Sequence, residues 1–436
     1  MRSWGSNFFA ALLALAGVCR VPAAESATAL ALRLAREATV AAEEKDTATY
    51  LAKMEEAVAL RPDYPRMLVN LAAAQVAAGQ PDEAIATLGR LAKLGVNSPV
   101  EKSADFAPLK ARKDFEAVVK KLAANAHPSG PGEIAFSLRG VTGLMEGIAW
   151  RAKTGEFFFG DVHGRAIWVR GKDETLRRLT PEGEDLYGVF GLAIDEAGET
   201  IWAATSAVPA MRGFAPDLDG RAALAEIDLT SGAVRRVLPA GGGAGDRYPH
   251  VLGDLALGED GTVWVTDSGA PILWRLAPGG SALEPWVESN EFMSVQGIVV
   301  LGDVAVVSDF AGGLLRVDLV ARQVRRLEPP ADTSLIGIDG LALAPSGHLL
   351  AVQNGLRPSR VLRIQMEGTA DAILAVKVIE SGHLAMAAPS LGCLGTGGDF
   401  FYIGNAGWSR FDQHDSQPTP PRAVPIYRTK LPKSGK

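Results

Sequence analysis

From about residue 133 onward the chain alternates short apolar runs with glycine-centred turns, and the segment 254–268 shows the unit most clearly. Leu255-Ala256-Leu257 is apolar, Glu259-Asp260-Gly261 has hairpin-turn chemistry, Val263-Trp264-Val265 is β-branched and aromatic, and Thr266-Asp267-Ser268 ends the run. The same grammar starts again at Gly147, Gly191, Gly297, Gly340 and Leu391, and it ends at Asp161, Thr205, Asp309, Asn354 and Asn405. The starts lie roughly 43 to 63 residues apart, the period expected when four short strands build one propeller blade. Third strands are expected at 166–169, 223–227, 272–276, 314–317, 361–364 and 426–428. Arginine-rich fourth strands suited to a solvated rim are expected at 176–179, 234–237 and 324–327. The sixth unit ends without a fourth strand. Residues 134–138, ahead of the first unit, can supply it and close the ring, which removes an open sheet edge.

Between about residues 25 and 126 the hydrophobic period changes from two to roughly 3.6, which predicts helices. One is expected over 50–60, ended by Arg61-Pro62-Asp63-Tyr64-Pro65. A second runs over 67–78 to Gly79, a third over 81–94 to Gly95, and helical pattern continues over 106–122. The spacing of Leu68, Leu71, Ala72, Gly79, Ala84, Leu88 and Leu91 resembles one degenerate tetratricopeptide repeat. Such a region serves either as a capping domain without a ligand or as a groove for a partner protein. His127-Pro128-Ser129-Gly130-Pro131-Gly132 breaks the pattern. The expected organisation is a signal peptide over 1–23, a helical domain over 24–126, a linker over 127–132, an all-β six-bladed propeller over 133–432 and a tail over 433–436.

Composition narrows the function. A chain of 436 residues, 47% hydrophobic and 22% charged, has ample core for two domains. Its net charge of -6, with no Lys/Arg-rich run to offset it, argues against a nucleic-acid partner. Arg2, the apolar run from Phe8 to Val18 and Val21-Pro22-Ala23 read as a secretory leader too short to span a bilayer. A periplasmic or secreted protein without a transmembrane segment in its mature form is expected. Cys393 would then be its only thiol.

The repeat also assigns positions. In a propeller the innermost strand of each blade runs along the central channel, so the residue before each unit occupies the same place around the axis. That ring reads Glu146, Phe190, Gly253, Gln296, Asp339 and Ser390. Two carboxylates across a narrow channel repel and raise each other's pKa unless a cation or proton lies between them. A hard divalent cation with oxygen ligands fits, as does a channel that holds only water. His250 and His383, each shortly before an inner strand, are further candidates for acid–base work. The aspartates and asparagines at the ends of the second strands read as strand-end hydrogen-bonding groups. Trp202, Trp264, Trp274 and Trp408 read as wedges between blades. The insertion over 207–220 is either a lid or a surface loop.

Glu146-Gly147-Ile148-Ala149-Trp150, Gly253-Asp254-Leu255-Ala256, Gln296-Gly297-Ile298 and Asp339-Gly340-Leu341-Ala342, at this spacing, resemble the family of gluconolactonase, senescence marker protein (regucalcin) and luciferin-regenerating enzyme. The resemblance covers about residues 133–432. It implies a six-bladed propeller with a divalent metal at the channel mouth, calcium or zinc, and lactonase activity. Carried over by position, Glu146 and Asp339 are metal ligands and Asp339 is also the base. Gln296 and Gly253 stand where the family has asparagines. Phe190, Asp254 and Ser390 are candidate substrate contacts. The expected function is a metal-dependent hydrolase of lactones or related esters. The alternative is a non-catalytic binding or scaffold propeller with a degenerate metal site, interacting through its helices.

Overall fold

The structure is a computed structural model that describes residues 25–183, 185–242, 246–411 and 420–431. The expected leader and the tail from residue 433 lie outside the described residues. No described helix is long and apolar enough to cross a membrane.

The helical region comprises α1 (Ala27–Glu43), α2 (Thr47–Leu60), α3 (Pro65–Ala77), α4 (Pro81–Lys93) and α5 (Lys113–Ala124). Its boundaries follow from local chemistry. Ser26 and Asp46 cap α1 and α2 by accepting from the N–H groups of Ala29 and Thr49. Proline stands at the first position of α3 and α4, where its missing N–H costs nothing. Gly79 and Gly95, with φ of 75° and 71°, end the same two helices. Helix α4 has acids in its first turn and Arg90 and Lys93 in its last, the order that suits the helix dipole. Its buried stripe includes Ala84, Leu88 and Leu91. The pattern over 106–122 is not one helix. A 3-10 segment, Ala104–Leu109, contains Pro108, and a turn separates it from α5.

The remainder is six four-stranded antiparallel sheets. Five are consecutive in sequence: blade one runs from 145 to 178, two from 188 to 240, three from 252 to 288, four from 295 to 326 and five from 338 to 381. In the sixth, Glu133–Val141 pairs with Arg422–Thr429 as the outermost strand, so residues from both ends of the propeller sequence close the ring. The second and third strands of each blade are the most apolar and are buried between neighbouring blades.

The inner strands share an irregularity. In blades one to five their pairing with the second strand shifts register at the ring position: Met145/Gly147, Val189/Leu192, Leu252/Leu255, Val295/Ile298 and Ile338/Leu341. A bulge re-aims a side chain. The glycine beside it has a separate cause, because adjacent inner strands approach too closely there for a Cβ. One on Gly147 would lie 2.0 Å from the carbonyl oxygen of Phe190, and one on Gly297 would lie 2.5 Å from that of Asp339. The recurring pair of a ring residue followed by glycine is thus the sequence form of a tightly closed channel.

The helical domain sits on the face where the inner strands begin. Its apolar core incorporates Ile336 and Leu356 from loops of blades four and five. Arg61, with no exposed surface, makes a bidentate pair with Asp63 and donates to Thr28 Oγ1 and to the carbonyl of Ala311 in blade four. Arg326 donates to Asp63 Oδ2 at 2.9 Å, and the Asn97 N–H donates to the Arg357 carbonyl at 2.6 Å.

Candidate active site

Ring positions of neighbouring blades lie side by side, Glu146-Gly147 against Phe190, Gly253 against Gln296 and Ser390 against Glu146, and they differ in what they present. Glu146 is buried and its Oε2 accepts from the indole N–H of Trp408 at 2.9 Å. Asp339 Oδ2 accepts from Asn354 Nδ2 at 2.6 Å, and the same amide donates to the Pro389 carbonyl at 2.7 Å. Each carboxyl is therefore gripped through one oxygen. Gln296 Nε2 donates to Ser294 Oγ at 2.9 Å. Its Oε1 is turned toward Gly253, 3.7 Å from where a Cβ on that glycine would lie. The longer amide thus extends beside the position that lacks a side chain. Asp254 lines the channel beyond the ring, where Leu192, Leu255, Ile298, Leu341 and Leu391 help to enclose a cavity of about 220 Å³.

Electrostatics couples the acids. Burial pushes Glu146 well above the usual carboxylate range, and the charges of Asp339 and Asp254 push it further, against the Trp408 hydrogen bond. Asp254 is pushed up to about 7 by burial, with a smaller push from Asp339 and opposing hydrogen bonds from the Leu255 and Ile298 N–H groups. Asp339 is pushed up to about 6, again by burial, with the Asn354 bond acting in the opposite direction. Asp339 raises both of the other acids and Asp254 raises Glu146, an arrangement that favours a proton or a cation among them.

Two of these contacts are not read from the repeat. Asn354 was expected at the strand end, with the aspartates. The register places Gln353 there instead, opposite Ile338 as Asp309 is opposite Val295. Asn354 is one residue farther on and is free to reach Asp339. The signal was an amide doublet, Gln353-Asn354, where units one, three and four have one aspartate. Trp408 lies outside the regular strands, in the 3-10 segment Trp408–Arg410, and donates to Glu146 besides packing its ring 6.1 Å from that of Phe190.

The remaining candidates have other partners. His250 is 2% exposed and both ring nitrogens face carboxylates, Nδ1 at 2.7 Å from Asp267 Oδ2 and Nε2 at 3.0 Å from Asp246 Oδ2. No nitrogen is left to serve as a base at the mouth. His383 packs its ring 5.8 Å from that of Tyr427, and its Nε2 is buried with no hydrogen-bond partner among the described residues. Neither histidine bonds to Glu146 or Asp339. The Ser390 hydroxyl is buried and donates to the Glu146 carbonyl at 3.0 Å, so it joins the last blade to the first rather than facing a ligand. Phe190 is buried in the apolar cluster that includes Met145 and Leu391.

The strand-end aspartates hold loops. Asp309 accepts from the N–H groups of Met293, Ser294, Ala311 and Gly312, and Asp161 accepts from those of Leu144 and Gly164. Trp274 donates its indole N–H to Asp267. The insertion over 207–220 packs Val208, Ala210 and Met211 into the cluster around Phe190, and the Arg212 N–H donates to the His163 carbonyl at 3.0 Å in blade one.

The donor set fits a hard divalent cation in its chemistry. No hydrogen bond from a described residue reaches Glu146 Oε1 or Asp339 Oδ1, and the Gln296 amide oxygen lies beside the ring position of Gly253. No group of three or more His, Cys, Asp or Glu close enough to hold a metal occurs among the described residues. A cation at the mouth would therefore have two carboxylates at most, with amide oxygen and water completing its shell.

The tetratricopeptide repeat profile matches residues 41–102. No curated protein matches the sequence. Among solved structures, a luciferin-regenerating enzyme is 15% identical with a TM-score of 0.48, covering 70% of this chain and 96% of that one. A calcium-binding protein, regucalcin, from Agrobacterium tumefaciens is 13% identical with a TM-score of 0.46, covering 69% and 96%. A gluconolactonase of Xanthomonas campestris is 16% identical with a TM-score of 0.45, covering 66% and 88%. The chain unites a helical region that carries a tetratricopeptide repeat with a six-bladed propeller, and structures of these three kinds are what it is similar to.

Proposed function

We propose that the protein is an exported, metal-dependent hydrolase of lactones or related esters, acting at the channel mouth. The observation that carries this reading is that Glu146 and Asp339, from the first and fifth blades, lie near enough for the charge of Asp339 to raise Glu146, and each is held through one oxygen. Glu146, Asp339 and the Gln296 amide would hold calcium or zinc. When bound, the metal supplies a Lewis acid that polarises the substrate carbonyl. The protein's own groups do the rest. Asn354 fixes Asp339 Oδ2 and so sets the orientation of the carboxyl that would take the proton of an attacking water. Trp408 fixes Glu146 Oε2 and lends an apolar wall with Phe190. Burial of the acids keeps the local dielectric low, which strengthens each charge acting there.

The second reading, a binding propeller without catalysis, is favoured by Gly253, which offers no ligand atom from a side chain. Calorimetric titration with calcium and zinc, followed by a lactone-opening assay, separates the two. The hydrolase reading expects binding that Asp339→Ala weakens by about tenfold or more, with loss of turnover. Turnover that survives Asp339→Ala would remove the mechanism, and a wild type that binds metal yet opens no lactone or ester would favour the binding propeller.

A further inference from the structure

Blade five departs from its neighbours at two positions, and both departures lead to the helical domain. Asp161, Asp267 and Asp309 accept N–H groups where blade five has Gln353. An amide can donate as well as accept. Gln353 Nε2 donates to the carbonyls of Ser334 at 2.9 Å and Ile336 at 2.7 Å, in the segment that leads into the Asp339 strand. Its Oε1 accepts from Arg360 Nε at 2.6 Å. Arg360 opens the third strand, opposite Gln353, where blades one, two and four carry Ala166, Ala223 and Gly313.

Arg360 is 4% exposed, and no ion pair to it occurs among the described residues. Its Nη1 donates to the carbonyl of Leu94, the C-cap of α4, at 2.9 Å. The C-terminal end of a helix carries partial negative charge. The counter-charge of this buried cation in the propeller is therefore supplied by the helical domain. Downstream, Asn354 follows Gln353 directly, its N–H donates to the Gly337 carbonyl at 3.0 Å, and its side chain grips Asp339. The segment 334–337 is thus pinned by both amides.

We propose that Arg360 is a positioning residue that ties Asp339 to the seat of α4 through Gln353 and Asn354, so that the acid's placement at the mouth depends on the docked helical domain. The catalytic meaning of this rests on the reading of the mouth as a metal site. The physical linkage does not.

The test uses the full chain as wild type, Arg360→Met, Arg360→Lys and Arg61→Met. Mn²⁺ affinity is measured by calorimetry, and hydrogen exchange is followed by mass spectrometry over 334–340 and 353–355. Arg360→Met leaves both acceptors unpartnered. It is expected to weaken Mn²⁺ binding by about tenfold or more and to speed exchange in both segments. Arg360→Lys, which keeps the charge and can still donate to Leu94, recovers most of both. Arg61→Met cuts a separate interdomain anchor, farther from Gln353, and is expected to change both readouts less than Arg360→Met. Unchanged exchange in Arg360→Met, or an equal change in Arg61→Met, overturns the proposal. If the wild type binds no Mn²⁺, the metal-site reading fails by itself and the exchange comparison decides the positioning role. If Arg360→Met does not fold, Gln353→Glu, which removes the donors to Ser334 and Ile336, replaces it with the same expectations.

Discussion

Asp339 is held by a single donor, and that makes its protonation measurable. The Asn354 amide favours the charged carboxylate while burial opposes it. Asn354→Leu removes the favourable contact, so the acid limb of the pH–rate profile is expected to move to higher pH, with kcat/KM falling about tenfold. An unchanged limb would mean that Asp339 is not the titrating base. Stability gives a second handle. The folded-state pKa values of Asp254 and Asp339, pushed up to about 7 and about 6, lie above the roughly 3.9 of an unfolded aspartate. The folded protein then binds more protons than the unfolded chain between those values. This contribution is fully present below about pH 4 and is lost as pH rises through 6 to 7. With chelator present, wild type is expected to lose more Tm than Asp339→Asn between pH 4 and 8, and saturating calcium is expected to close the gap at pH 8.

At the scale of single strands, the bulge and the glycine beside it have separate causes and work side by side. The bulge aims the ring residue and the glycine lets the next inner strand pass. Gly297→Ala would set a Cβ 2.5 Å from a backbone carbonyl, and backbone cannot yield as a side-chain tip can. A loss of about 3 kcal/mol in denaturant unfolding is expected, the upper part of the overpacking range. Much of this was legible in sequence. The recurrence at Gly147, Gly191, Asp254, Gly297, Gly340 and Leu391 gave the blade count, and residues 134–138 were readable as the closing strand because the sixth unit lacked one. Asn354 was misplaced by one residue, because turn composition cannot say whether Gln353 or Asn354 ends the paired strand. Trp408 was read as a wedge between blades, and its bond to Glu146 was missed because it approaches from an irregular segment with no repeat to align it.

Across the whole molecule the two domains share a packed junction. Ile336 and Leu356 lie in the helical core, while Arg61, Asp63, Arg326 and Arg360 are buried or nearly so across the junction. A single cooperative thermal transition is expected by calorimetry. Arg61→Met should lower stability by about 3 kcal/mol, since it leaves Asp63 buried with one cation fewer. Two separate transitions in wild type would show instead that the helices are only tethered.

Periodicity and turn chemistry alone determined the helical region, the blades, the closing strand and the ring that carries Glu146 and Asp339, because each is fixed by contacts near in sequence or by a pattern the chain repeats. Tertiary structure decided what those residues face. It gave His250 and Ser390 partners of their own, gave Asp339 and Glu146 their Asn354 and Trp408 partners, and joined the helices to blades four and five through Arg61, Arg326 and Arg360. Those outcomes depend on which distant segments share a burial site, and a carboxylate or guanidinium taken out of water accepts only the partners that the packed chain brings to it.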